Sequence, residues 1–142
     1  MARMIFVNLP VEDVGRATAF YRAIGFQKNE QFSNERGSAM DWSDDIHVML
    51  LSREFFSTFT TKRIVDPRTE TGALHALSLD DRAEVDRFTE AALAAGGREL
   101  HEPEDLGFMY SRGFEDPDGN GWGPFAMDMA AHAAAMAEGA GA

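Results

Sequence analysis

The chain has 142 residues, with 24 acidic against 13 basic side chains and a formal net charge of −11. That length suits one domain with a substantial core, the negative field opposes nucleic acid and anionic membrane, and the absence of cysteine excludes disulfides, thiolate metal sites and cysteine nucleophiles. No apolar run approaches the roughly 20 residues needed to span a bilayer, and Met1-Ala2-Arg3-Met4-Ile5 leads straight into a strand pattern without the apolar core of a signal peptide, so a cytoplasmic protein is expected.

Residues 4–11 alternate apolar side chains and read as a strand. Asp13 is placed to cap a helix, because its carboxylate can accept from the free amides of the next turn. Ala17, Phe20, Tyr21 and Ile24 follow at helical spacing, giving about three turns with one apolar face, stopped at Gly25. Gln27–Phe32, Ser38–Ser43 and His47–Leu51 read as three further strands, so the first module, residues 4–52, is βαβββ. Residues 53–72 read as a linker. Within it Phe55, Phe56 and Phe59 suit a short helix, and Thr60–Thr71 is polar with Pro67.

The second module, 73–128, opens with Leu74-His75-Ala76-Leu77-Ser78-Leu79. Asp81 and Glu84 then have the spacing of a capping box. Val85, Phe88 and Ala92 form the apolar helix face, and Gly96-Gly97 ends it. Strands are expected near Arg98–His101, Phe108–Phe114 and Trp122–Met127, with the turn Asp116-Pro117-Asp118-Gly119 before the last. Residues 130–142 are almost all alanine and glycine, have nothing large to bury, and are expected to fray as a flexible tail.

The two modules repeat one pattern. With a constant shift of 68 positions, the spacing of Phe6 and Leu74, Leu9 meets Leu77, Val11 meets Leu79, Asp13 meets Asp81, Ala17 meets Val85 and Phe20 meets Phe88. No phosphate-binding glycine loop, nucleophile elbow or zinc-protease motif is present.

This duplication, the Asp13…Phe20-Tyr21…Gly25-Phe26 pattern and Phe114-Glu115-Asp116-Pro117-Asp118-Gly119 resemble the vicinal oxygen chelate superfamily over about residues 4–128. That superfamily holds glyoxalase I, extradiol dioxygenases, fosfomycin-resistance proteins and bleomycin-binding proteins. The tract Met4–Pro10, with Phe108-Met109-Tyr110, is similar to a bacterial branch labelled predicted lactoylglutathione lyase. The resemblance implies an α+β fold, two βαβββ modules whose mixed sheets curve into a cup, and a homodimer. It does not imply one chemistry, because the fold carries several.

Members that use a metal hold a divalent ion with His or Gln, Glu, His and Glu facing the cup, as a Lewis acid on adjacent substrate oxygens. Those four positions fall here on Phe6, Met49, Leu74 and Gly123. Phenylalanine, leucine and glycine side chains offer no donor, and a thioether suits hard or borderline ions poorly, so no metal and no other cofactor is expected. Asn8 shares the face of Phe6, and His47 that of Met49, by the two-residue period of a strand. Asn8 is read either as a strand residue bonded to main chain or as a ligand-orienting amide. His47 is read either as a packed histidine or as a general base. His75 adjoins Leu74 and should point away from the cup. His101 and His132 read as surface residues. Tyr110 and Arg112 suit cross-strand packing and an ion pair, with Tyr110 kept as a candidate ligand contact. Trp42 and Trp122 read as core or cup-wall aromatics, and Asp116 and Asp118 as turn formers.

Two functions remain open on these residues. The first is a metal-independent protein binding a small, largely apolar organic molecule over Phe6, Asn8, Met49, Leu74, Tyr110 and Gly123. The second is a lyase or isomerase of the glyoxalase I kind using His47 as base.

Overall fold

The computed structural model describes residues 3–140 and shows an α+β fold of two four-stranded mixed sheets with helices. The first module runs β1 (Ile5–Val11), α1 (Val14–Ala23), β2 (Gln27–Asn34), β3 (Gly37–Asp41) and β4 (Ile46–Ser52). Its sheet has the order β1-β4-β3-β2, with β1 and β4 parallel and the other pairs antiparallel. A short helix, α2 (Arg53–Phe56), and a single 3-10 turn lead into the linker. The second module repeats the plan as β5 (Leu74–Ser78), α3 (Arg82–Ala94), β6 (Arg98–Asp105), β7 (Met109–Glu115) and β8 (Gly121–Met127), in the order β5-β8-β7-β6.

Both helices start where their caps predict. Asp13 accepts from the Arg16 amide at 3.0 Å, and Asp81 accepts from the Glu84 amide at 2.9 Å. Glu84 returns a bond to the amide of Asp80 rather than that of Asp81, a shifted form of the capping box. Strand β6 continues four residues beyond its expected end at His101, through Pro103. Proline is tolerated there because β6 is an edge strand, where an amide can be missing without breaking a ladder.

The tail is a correction to the sequence reading. Met129–Ala140 form a helix, α4, where fraying was expected. Alanine has the highest helix propensity of any residue, Asp128 accepts from the Ala131 amide at 3.0 Å, and the His132 ring meets Phe108 edge-on with centroids 5.0 Å apart. The last two positions of the expected tail, Gly141 and Ala142, lie outside the described residues.

The apolar helix faces of the two modules share one core. Phe20 and Tyr21 of α1 pack with Phe114 of β7 and Trp122 of β8, while Trp42 of module one meets Phe88 of α3. The most deeply buried charged group among the described residues is Asp116, only 2% exposed. Its first carboxylate oxygen accepts from the amides of Asp118 and Asn120, both at 2.9 Å. Its second accepts from the Tyr21 hydroxyl at 2.6 Å and the Asn120 side-chain amide at 3.0 Å. Trp122 completes the chain by donating its indole N–H to the Tyr21 oxygen at 2.9 Å. A buried carboxylate is tolerable only when its oxygens are filled in this way. Burial, and then the neighbouring Asp116 charge, push the Tyr21 phenol well above its ordinary range, so it stays a donor.

Tyr21→Phe is therefore expected to lower stability by about 2–3 kcal/mol, since it deletes one bond to a charged acceptor and strands the Trp122 N–H. Urea unfolding followed by circular dichroism checks this, with the slope on denaturant unchanged.

Candidate functional site

The period of two along each strand places the expected residues on the sheet faces opposite the core. In sheet one, the parallel register pairs Phe6 with His47 and Asn8 with Met49, so all four share a face. Phe6 is 53% exposed and stacks on the His47 ring with centroids 4.5 Å apart. In sheet two, Leu74 pairs with Gly121 and Ala76 with Gly123. Leu74 is 72% exposed, and a Cβ at Gly123 would make only ordinary contacts, 3.9 Å to the carbonyl oxygens of Arg112 and His75. Each sheet thus presents an exposed, partly apolar face.

The side chains at the four family metal positions, Phe6, Met49, Leu74 and Gly123, supply no oxygen or nitrogen donor, and among the described residues no group of three or more His, Asp or Glu is arranged to hold an ion. The residues present do not fit the metal centre that the fold family uses elsewhere.

His47 lies at the β3–β4 turn, with its Nδ1 2.7 Å from the Asp41 carboxylate and its Nε2 3.0 Å from the Asp44 carbonyl. Both neighbours are acceptors, and a neutral ring carries one N–H, so it donates to one of them at a time. Another candidate is corrected by its surroundings. Tyr110 stands on the core side of β7, not on the exposed face. Its hydroxyl donates to Asp86 of α3 at 2.6 Å. The buried Arg112 beside it pairs with Asp86, Glu90 and Glu99 at 3.2, 2.9 and 2.8 Å, so this cluster ties α3 to sheet two. Even-numbered residues of β7 all share the face of Phe114, and Phe114 is core.

The best-formed cavity lies between the modules, and sequence reasoning did not anticipate it. Its volume is about 380 Å³. Edge strand β1 contributes Asn8, Leu9 and Pro10; β5 contributes His75; the turn before β8 contributes Gly119 to Gly121; and the linker folds across as a wall. Arg53 pins this wall by donating to the carbonyls of Ile64 and Val65 at 3.3 and 3.1 Å. Gly119 lets it approach: its φ is +101°, and a Cβ there would lie 2.6 Å from the Pro67 carbonyl. Asn8 is the one candidate residue that reaches this cavity. The apolar pair Ile64-Val65 inside the otherwise polar stretch Thr60–Thr71 was the available signal for it.

His75 sits at the edge of the cavity against Trp122, ring centroids 5.0 Å apart. Burial holds its pKa below the ordinary 6.5, with the Asp116 charge opposing, so the ring is neutral at pH 7. The folded state thus binds this proton less readily than the unfolded chain. The stability His75 supports is complete above pH 6.5 and is lost as the pH falls below that value. Comparing His75→Gln with the parent by thermal melting, the difference in Tm is expected to narrow between about pH 7.5 and pH 5, because only the parent pays for protonating the ring.

The family model described as Glyoxalase/Bleomycin resistance protein/Dioxygenase superfamily matches residues 3–123. No curated protein matches the chain. Among solved structures, a glyoxalase/bleomycin resistance protein/dioxygenase family enzyme from Burkholderia phytofirmans PsJN is similar at 21% identity with a TM-score of 0.72, covering 89% of this chain and 99% of that one. A lactoylglutathione lyase from Agrobacterium tumefaciens is similar at 19% identity and a TM-score of 0.64, covering 91% and 96%. A bleomycin resistance determinant encoded on the transposon Tn5 is similar at 21% identity and a TM-score of 0.62, covering 89% and 99%. At these identities the structures speak for the fold, while the family match spans most of the sequence. The chain belongs to the glyoxalase/bleomycin resistance protein/dioxygenase superfamily.

Proposed function

We propose that this protein is a homodimer that binds a small, largely apolar organic molecule in a cup formed by its exposed sheet faces, without a catalytic metal. The observation that carries this reading is the set of side chains at the four family metal positions. Phe6 and Leu74 are large, apolar and exposed, Met49 is half-buried beside Asn8, and Gly123 leaves room. Apolar walls with a few polar groups are what small-molecule sites usually have. Covering each exposed apolar side chain is worth about 1.5–3 kcal/mol, which favours a second copy closing over these faces and enclosing a ligand between them.

The alternative, a lyase or isomerase of the glyoxalase I kind, finds less support in the residues. That chemistry concentrates negative charge on substrate oxygens and needs a matched electrostatic partner. Phe6, Met49, Leu74 and Gly123 offer no oxygen or nitrogen donor for an ion, and the His47 ring lies against two acceptors, the Asp41 carboxylate and the Asp44 carbonyl.

Two outcomes are expected. Light scattering at micromolar concentration gives a dimer mass, and elemental analysis after dialysis against chelator finds far less than about one zinc, nickel or iron per chain. A tight stoichiometric ion would overturn the metal-free reading. Separately, Leu74→Arg places a charge on the sheet-two face and is expected to weaken a ligand found by screening more than about tenfold, the effect of losing one apolar contact and desolvating a cation. Unchanged affinity in a folded Leu74→Arg protein would remove the cup as the site.

A further inference from the structure

The cavity between β1, the linker and β5 shares only Asn8 with the candidate residues of the exposed sheet faces, and its lining is unusual for this chain. The protein carries 24 carboxylates against 13 Lys and Arg, yet no Asp or Glu lines this cavity, while Lys62 and Arg63 do. Each of the four other described cavities includes at least one carboxylate. Among the described residues Lys62 has no ion-pair partner, and Arg63 has one long contact, 3.7 Å to Glu70. Both cations are exposed at the linker side. The remaining wall is apolar: Leu9, Pro10, Phe56, Ile64, Val65 and Pro67. The uncharged polar side chains of the lining are Asn8, Thr60, Thr71, His75 and Asn120, and no hydrogen bond among the described residues reaches the His75 ring.

We propose that this junction cavity binds a small apolar molecule bearing a single negative charge, of the class of medium-chain or aromatic carboxylates. The apolar body occupies the space between Leu9, Phe56 and Val65, and the carboxylate lies toward Lys62 and Arg63. A volume of about 380 Å³ falls at the small end of the range for ligand pockets. Charge complementarity selects the sign: in a molecule of net charge −11, an anion is repelled from most of the surface and finds two cations at this mouth, of which only Arg63 has a carboxylate within ion-pair distance, at 3.7 Å. Asn8 and His75 can each donate one hydrogen bond into the space. The proposal does not depend on the cup, since Phe6, Met49, Leu74 and Gly123 do not line this cavity.

Octanoate and 1-octanol are the probes, being matched in chain and different in charge. Titration calorimetry measures affinity, and the fluorescence of Trp122, isolated in a Trp42→Phe background, reports the place of binding through its contact with His75. Octanoate is expected to bind saturably, more tightly than octanol, and to change the Trp122 emission. The double variant Lys62→Gln/Arg63→Gln should weaken octanoate about fivefold and octanol hardly at all, the scale set by two solvent-exposed charge contacts. The control Lys28→Gln/Arg98→Gln removes the same charge elsewhere and should leave octanoate affinity within about twofold. The proposal is overturned if octanoate gives no saturable heat, if octanol binds as tightly, if the control weakens octanoate as much as the Lys62/Arg63 pair does, or if Trp122 is silent while binding is seen. All four positions are solvent-exposed or half-buried side chains away from the shared core, so the variants should fold.

Discussion

The arrangement of the two modules depends on the contact between the Tyr21 hydroxyl and the Asp116 carboxylate. Tyr21 comes from the first helix of module one, and Asp116 from the last turn of module two, yet they meet at 2.6 Å in the centre of the core. A buried carboxylate left without partners would cost several kcal/mol. Here four donors converge on it, and three of them come from its own turn. The fourth is Tyr21, so the Asp116 carboxylate gains its full set of donors only when module one is docked. That makes the docking specific as well as favourable, because an apolar face can slide against another whereas this bond has one geometry. Asp118, two residues on, adds a second link: it accepts from the Glu12 amide at 2.9 Å, just before the cap of the first helix.

Docking through the helix faces has two structural consequences. First, the opposite faces of both sheets stay uncovered within one chain, which is why Phe6 and Leu74 are so exposed while Phe20, Tyr21, Phe114 and Trp122 on the helix side are buried. Second, the edge strands β1 and β5 are brought to the same side of the molecule, where the linker bridges them. Neither sheet can extend its ladder there, and the gap is roofed by side chains instead of a paired strand. The linker is held by backbone acceptors for Arg53 and by the local turn at Asp66, whose carboxyl the neighbouring Arg68 keeps below its usual range.

At the four positions where metal-using members of the superfamily carry their ligands, this chain has Phe6, Met49, Leu74 and Gly123, none with an oxygen or nitrogen donor. On the same face His47 stacks on Phe6 and lies within hydrogen-bond distance of Asp41 and of the Asp44 carbonyl, contacts that link it to β3 and the β3–β4 turn. Arg112 and Tyr110 show the same economy on the other sheet, where three carboxylates and a hydroxyl hold a helix in place. A salt-linked cluster of this kind specifies packing more than it adds stability.

Most of the scaffold was legible in the chain itself. Strand alternation, helix caps at Asp13 and Asp81, and the 68-residue repeat identified two βαβββ modules, because these signals depend on neighbours a few residues apart. That Phe6, Met49, Leu74 and Gly123 carry no oxygen or nitrogen donor was also a property of the chain alone, since a side chain cannot acquire donor atoms by folding. The tail was misread for a related reason: absence of large side chains argued against packing, but helix formation in an alanine run needs little packing. What only the tertiary structure decided is which groups meet across the chain. Phe20-Tyr21 and Asp116-Pro117-Asp118-Gly119 stood in the sequence as two separate motifs, one apparently for packing and one for turning. Their union requires 95 residues of intervening chain to fold back. The same holds for the cavity, whose walls come from residues 8–10, 56–73, 75 and 119–121. Each of these segments alone is a strand edge, a polar linker or a turn, and only their convergence makes a cationic mouth over an apolar space.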